Sequence, residues 1–165
     1  MMPAKKKVVV GGTFAFLHEG HRCLLRRAFS IGDYVLIGLT TDAYVGKRKA
    51  YSQSYAIRRR ALRDFVSKFG KRYSIVPLRN RYGPTLSADF DAIVVSKETK
   101  LVAERINLMR RRRGRRAMRI VVVPYVRAYD GKPISSRRIA RAEIDGHGKS
   151  GMAANIGITR KKHHG

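Results

Sequence analysis

Two histidines three residues apart, in the segment His18-Glu19-Gly20-His21, follow closely on a Gly11-Gly12-Thr13-Phe14 turn, and the turn follows a β-branched run, Val8-Val9-Val10. A buried strand that ends in a glycine turn and passes into a helix gathers backbone N–H groups, the Thr13 hydroxyl and two imidazoles around one point near a helix N-terminus. Such a point attracts phosphate, because unpaired N–H groups and the positive end of the helix dipole both favour negative charge. Gly20 would let the backbone come close to that phosphate. The two imidazoles suggest chemistry as well as binding. Histidines at this spacing can also ligate zinc. No third ligand stands at a plausible distance, however, and Glu19 does not complete the His-Glu-x-x-His pattern of zinc proteases. No metal ligand is assigned.

The elements that must hold this point are legible as short apolar runs alternating with longer amphipathic stretches. Strands are expected at residues 7–10, 34–39, 73–78, 92–95 and 119–123. Their nearly continuous apolar character suits strands covered on both faces. Helices are expected at 20–31, 55–69, 99–113 and 135–143. Leu24, Leu25, Ala28 and Ile31 should share the inward face of the first helix, and Ile57, Ala61, Leu62, Phe65 and Phe69 that of the second. The alternation predicts an α/β fold, a single Rossmann-like domain whose five-stranded parallel sheet is flanked by helices. Ligands in such sheets bind beyond the carboxyl ends of the strands, where the Gly11–Thr13 turn lies. One domain is expected over residues 1–145, followed by a flexible basic tail at 146–165 rich in Gly, Lys and His.

The 165 residues suffice for one core, and 44 % of them are apolar, as in globular chains. No apolar run approaches the roughly 20 residues that span a bilayer, and the basic N-terminus leads straight into a strand rather than a secretory signal. Cys23 is the one cysteine, which excludes an internal disulfide and a cysteine-based zinc site. A cytoplasmic protein is the simplest expectation, and a monomer is favoured over an oligomer. The net charge of +26, from 37 Lys and Arg against 11 Asp and Glu, would draw in polyanions and anionic substrates. The densest run, residues 110–119, is explained by a solvated helix face and loop. With no RNA-recognition aromatic motif or zinc finger present, nucleic acid is not expected as a functional partner.

The Gly-Thr-Phe turn followed by His-x-Gly-His resembles the signature of the nucleotidylyltransferase superfamily, which includes cytidylyltransferases, nicotinamide and flavin adenylyltransferases, and pantetheine-phosphate adenylyltransferases. Three further segments are similar to the archaeal and eukaryotic form of the last group. They are Val94-Val95-Ser96-Lys97-Glu98-Thr99 with Ile106-Asn107 and Arg110 behind it, Tyr82-Gly83-Pro84-Thr85, and Ile134-Ser135-Ser136-Arg137-Arg138-Ile139 continuing to Glu143-Ile144-Asp145. Together they cover roughly residues 8 to 145. Two departures stand out. Arg137 and Ala140 replace a usual threonine and a frequent basic residue, with Arg138 and Arg141 available to supply the charge. Asn80 and Arg81 stand where an acidic residue and proline are usual.

The resemblance implies transfer of AMP from ATP to 4′-phosphopantetheine, giving dephospho-CoA and pyrophosphate, with Mg²⁺ arriving on the ATP phosphates. It implies catalytic roles for His21, His18 and Lys47. His21 would donate to the α-phosphate, with His18 beside it. Gly11, Gly12, Thr13, Phe14, Gly20, Ser96, Lys97, Glu98, Thr99, Asn107, Ser135, Ser136 and Arg138 would form the rest of the nucleotide site. Thr13, Lys47, Arg58, Arg81 and Tyr82 would meet the acceptor. Lys47 is the best match by spacing for the lysine that grips the acceptor phosphate, with Arg48 and Lys49 as alternatives. Arg58 also reads as a surface charge, and Ser135 as a helix N-cap. A cytidylyl- or FMN adenylyl-type transferase is the alternative activity, and an RNA-binding protein on the same scaffold the alternative class.

Overall fold

The computed structural model describes residues 4–46 and 53–151. Five strands, β1 (Lys7–Gly12), β2 (Tyr34–Thr40), β3 (Arg72–Leu78), β4 (Ala92–Ser96) and β5 (Arg119–Val123), form one sheet in the order β3-β2-β1-β4-β5. Every neighbouring pair is parallel. The strand order reverses beside β1, so the carboxyl end of β1 is the topological switch point. Register at the opposite edge is set by two aspartates that each precede a strand. Asp33 and Asp91 accept from the N–H groups of Lys6 and Lys7, while their own N–H groups donate to the carbonyls of the same two residues. These paired bonds hold the start of β1 between its neighbours.

Helices α1 (Glu19–Ile31) and α3 (Tyr55–Val66) cover one face, and α4 (Lys100–Arg112) covers the other. Side chains alternate along each strand, so Val8 and Val10 join the first layer with Leu25, Ala28 and Phe29, while Val9 joins the second with Ala103 and Ile106. Phe29 stacks on Phe69 at 4.7 Å between ring centroids and meets Tyr73 edge-on. The short helix α2 (Asp42–Val45) and a 3₁₀ turn at Gly83–Leu86 were not expected from periodicity, because each is too short to show any.

The inward face of α3 differs from the expected one. Ile57 is 54 % exposed, and the stripe that faces the sheet is Arg58, Leu62 and Val66. A spacing of four residues keeps this stripe on one side of the helix, and its first position carries a charge that an apolar pattern does not reveal. The basic run at 110–119 is likewise only partly solvated. Arg110 is buried and donates to the carbonyls of Thr85, Ala88 and Arg116, while Arg115 and Arg116 pair with Asp89 and Asp91.

The last helix, α5 (Ser136–Ala140), stops short of Glu143. Ala142 takes a left-handed backbone with φ +56°, which turns Ile144 back onto Ala128 and Ile134. The chain then continues past Asp145 as an ordered turn. Asp145 Oδ1 accepts from the N–H groups of His147 and Lys149, and Ile144 bridges Ser150. The Gly146 carbonyl accepts from Glu19 N–H at 2.9 Å, so this turn touches the start of α1.

Asn107 ties α4 to the start of β5, its amide donating to Met118 O and accepting from Met118 N–H, both at 2.8 Å in a buried setting. Replacing it by Leu leaves two buried backbone groups unpaired, and each such group costs about 1–3 kcal/mol. Asn107→Leu should therefore lower the urea-unfolding free energy by on the order of 3 kcal/mol.

Candidate active site

The two histidines build the start of α1. His18 is the N-cap residue, with extended backbone, and its Nδ1 accepts from His21 N–H. His21, three residues on, returns the bond: its Nδ1 accepts from His18 N–H, and both distances are 3.3 Å. This is a capping box made of two imidazoles in place of the usual hydroxyl and carboxylate. The rings consequently stack at 3.6 Å between centroids with an 18° interplanar angle. Gly20 is required between them, because a Cβ there would lie 2.9 Å from His18 Cε1. Close approach of the His18 ring is thus a reason for this glycine beside the expected one, close approach of a phosphate.

The arrangement sets the tautomers. An Nδ1 that accepts a backbone N–H carries no proton, so the neutral ring carries it on Nε2, the atom that can donate to a ligand. His18 is held neutral as well. Burial, and then the Arg22 cation, lower its pKa from 6.5 to about 4, with Glu19 opposing them. Of the first N–H groups of α1, Glu19 N–H is taken by Gly146 O, and those of His21 and Arg22 by His18. Gly20 N–H has no acceptor among the described residues. One backbone donor at the dipole's positive end is therefore left for an anion.

The turn before the helix is strained. Phe14 and Phe16 both adopt positive φ, +50° and +49°, a region that costs a non-glycine residue on the order of 1 kcal/mol or more. Phe14 is buried, packs on Gly12 and lies 5.2 Å from the His21 ring. Phe16 N–H is held by Gln53 Oε1, and Ala15 O by the Ser136 hydroxyl at 2.6 Å. Ser135 caps α5 by accepting from Arg138 N–H. Thr13, His18, Gly20, His21, Ser135 and Ser136 are thereby gathered at one end of the sheet.

Arg58 lies beneath this cluster with no exposed surface. Its guanidinium donates to Thr13 O, to Thr40 O and Oγ1, to Gln53 O and to Asp42 Oδ1. It touches the turn that would bind the acceptor, and its own donors point into the protein. Thr40, Asp42 and Gln53 were missed as site residues. The cue that could have found the first two is the Thr40-Thr41-Asp42 run closing β2, since polar residues at the carboxyl end of a central strand face the ligand edge.

The remaining expected residues divide. Ser96 and Thr99 close a turn at the end of β4, with Ser96 N–H donating to Thr99 Oγ1, and Lys97 and Glu98 are exposed on it. Glu98 and Thr99 share the rim of a cavity of about 370 Å³ with Arg81 and Tyr82, so two residues expected for the nucleotide and two expected for the acceptor meet around one space. The cavity lies on the α4 face, is floored by Gly11, Gly38 and Val9, and reaches Gly12 and Thr40 at the switch point. Leu78 fits against Gly11, Gly38 and Gly83; a Cβ on Gly38 would stand 2.7 Å from it. Asn80 fills its unusual position by accepting from Tyr82 and Gly83 N–H, which shapes the rim.

Asn107 is not part of this cluster, because both ends of its amide are bound to Met118 before β5, toward the other end of the sheet. Arg138 pairs with Asp130 and Glu143 and donates to Pro133 O, so its charge is turned into the loop beside α5. Arg137 and Arg141 are exposed. Lys47, Arg48 and Lys49 lie outside the described residues.

The His18 shift carries a pH dependence. With the folded pKa near 4 and the unfolded value near 6.5, the unfolded chain binds the extra proton between those limits. Stability from the neutral ring is complete above pH 6.5 and is lost as pH falls toward 4, by on the order of 3 kcal/mol. Asn keeps the N-cap acceptor and does not titrate. Urea unfolding at pH 7, 5.5 and 4 should show His18→Asn losing less stability on acidification than wild type, by that order. Parallel losses in the two proteins would mean that the imidazole is not desolvated.

The cytidylyltransferase-like family model matches residues 9–142. Phosphopantetheine adenylyltransferase of Methanosarcina mazei is 46 % identical over 148 residues, covering 87 % of this chain and 96 % of the relative. That of Methanopyrus kandleri is 51 % identical over 144 residues, covering 85 % and 91 %. A crystal structure of a protein of unknown function from Archaeoglobus fulgidus superposes with a TM-score of 0.67 at 39 % identity, covering 71 % of this chain and 88 % of that one. The imidazole capping box at the switch point of a five-stranded parallel sheet thus sits in a chain that belongs to the cytidylyltransferase-like family and, within it, to the phosphopantetheine adenylyltransferases.

Proposed function

We propose that this protein transfers the adenylyl group of ATP, as its Mg²⁺ complex, to 4′-phosphopantetheine, releasing pyrophosphate and dephospho-CoA. The observation that carries the site assignment is the imidazole capping box: it fixes both rings at the positive end of α1, beside the Gly20 N–H. The acceptor phosphate already bears a nucleophilic oxygen at neutral pH, so no residue has to act as general base. Its oxygen attacks the α-phosphorus, the bond from that phosphorus to the bridging oxygen breaks, and pyrophosphate leaves with the electron pair. Charge grows on the α-phosphate oxygens meanwhile, and donors aimed there before reaction stabilise it without reorganising.

In this scheme His21 Nε2–H meets the α-phosphate and His18 meets the chain of phosphates beside it. Ser135 and Ser136 border the β- and γ-phosphates. Thr13, with Lys47 as the resemblance implies, orients the acceptor phosphate. The cavity beyond Gly11 takes the pantetheine arm past Tyr82 and Arg81, and the exposed Ser96–Thr99 turn meets the adenosine end. A largely apolar space beside a polar phosphate site suits a substrate with a long uncharged arm.

Purified protein should form dephospho-CoA and pyrophosphate in equal amounts from ATP and phosphopantetheine. His21→Ala should lower kcat by roughly 10²–10³, the usual loss for one such donor. Near-full turnover in that variant would remove His21 from the role. Pyrophosphate release from CTP with glycerol phosphate, and none from ATP with phosphopantetheine, would overturn the substrate assignment.

A further inference from the structure

Between the buried Arg58 and the Thr13 turn stands a second hydroxyl that the proposed mechanism has not used. Thr40 is buried at the last position of β2. Its Oγ1 lies 3.3 Å from Arg58 Nη1 and 3.1 Å from Thr13 Oγ1. A guanidinium can only donate, so Arg58 uses a lone pair of the Thr40 hydroxyl. The Thr40 hydroxyl in turn donates to Thr13 Oγ1. The order Arg58 to Thr40 to Thr13 runs in one direction, and its end is polarised by a cation with no exposed surface. Thr13 Oγ1 is thereby an acceptor toward Thr40, and its own proton is directed elsewhere than at Thr40. Arg58 Nη1 also binds Thr13 O and Thr40 O, at 2.9 and 2.8 Å, so the same group fixes the backbone from which both hydroxyls project.

We propose that Thr40 and Arg58 are positioning residues for the adenylyl transfer. Their hydrogen-bond relay presents the Thr13 hydroxyl to the acceptor phosphate as a donor, and not as an acceptor that would repel it. A phosphate oxygen bears no proton to donate at neutral pH, so only a donating Thr13 can hold it. Without the Thr40 hydroxyl, nothing on that side fixes the rotation of the Thr13 hydroxyl, which can then present lone pairs to the anion. This inference rests on the role given to Thr13 above, and it accounts for an arginine whose donors all point inward yet end on the substrate-facing turn. Hydrogen bonds in such chains strengthen one another, the more so away from water.

Arg58 holds too much of the fold for a clean test, so Thr40 carries it. The experiment compares kcat and KM for phosphopantetheine in wild type, Thr40→Val, Thr40→Ser, Thr13→Val and the Thr13→Val/Thr40→Val double variant. Melting temperatures are recorded for all five. Thr40→Val should remain folded and lose roughly fivefold to twentyfold in kcat/KM for the acceptor, the scale of one misdirected hydrogen bond. The KM for ATP should hold near wild type. Thr40→Ser restores the hydroxyl and should regain most of the loss. The deciding arm is the double variant: with the Thr13 hydroxyl gone, removing Thr40 should cost nothing further. A Thr40→Val loss that persists in the Thr13→Val background overturns the relay, as does a Thr40→Val enzyme with wild-type acceptor kinetics. Absence of dephospho-CoA formation in wild type is read before any variant, and there it is the underlying activity that fails.

Discussion

The ligand edge of this molecule depends on one buried cation. Where β1 and β2 end, their last carbonyls point out of the sheet with no further strand or helix to receive them. Water would normally satisfy such groups, but a site that must exclude water from a phosphoryl transfer needs another donor. Arg58 supplies it, reaching Thr13 O and Thr40 O from α3 while its Nε binds Gln53 O at the entry to that helix. Burying a charge costs several kcal/mol unless its hydrogens are matched. Here backbone carbonyls match them, and Asp42, the one carboxylate partner among the described residues, remains largely exposed. Lysine could not substitute, because a compact ammonium has no flat fork able to reach four segments at once. Arg110 repeats the device under the other layer, binding the carbonyls of Thr85, Ala88 and Arg116. Two guanidiniums thus secure loops at the two ends of the sheet, Arg58 where β1 and β2 end and Arg110 ahead of β4 and β5.

The histidine pair solves a second problem with the same economy of parts. A phosphate-binding helix start needs open donors, yet a helix start also needs capping to be stable. Using imidazoles as the caps serves both, because Nδ1 satisfies a backbone N–H and so fixes the proton of the neutral ring on Nε2. The two rings lie too close together for both to carry charge without mutual repulsion, and burial already keeps His18 neutral. Neutral donors suit a step in which charge develops and then departs with pyrophosphate, since they stabilise it without trapping the product as a full cation would.

Most of the architecture was legible because it rests on periodicity. Each of the five β-branched runs became a strand within a residue or two, and the parallel order follows from the alternation with helices. The glycine–histidine turn at the switch point was legible for another reason: glycines and histidines at fixed spacing have few other uses. What stayed hidden are residues whose type suggests one environment and whose neighbours impose another. Arg58, Asn107 and Arg110 read as surface or ligand-binding side chains because nothing in a linear pattern announces an unpaired backbone carbonyl. Ile57 was read as core for the complementary reason, since a charged residue had taken the inward position one step along. The short α5 is of the same kind. Its helical pattern runs on through Glu143, and only the packing of Ile144 on Ala128 and Ile134 shows why the backbone turns at Ala142.

The large positive charge also takes on structure when its few counter-charges are followed. Asp33, Asp91 and Asp145 accept backbone N–H groups at strand starts and in a turn, while Glu19, Asp42, Asp130 and Glu143 hold arginines beside α1, α3 and α5. Carboxylates are therefore placed where local geometry needs an acceptor, and the edge that would meet two phosphorylated substrates is left with an excess of donors. Glu98, on the cavity rim, is exposed and stands apart from that pattern. Both proposed substrates are polyanions, so a field of this sign draws them toward the protein from a distance that hydrogen bonds cannot reach. In the proposed scheme, discrimination then falls to the donors at the switch point and to the apolar cavity behind Gly11, where net charge counts for little and the direction of a hydroxyl counts for much.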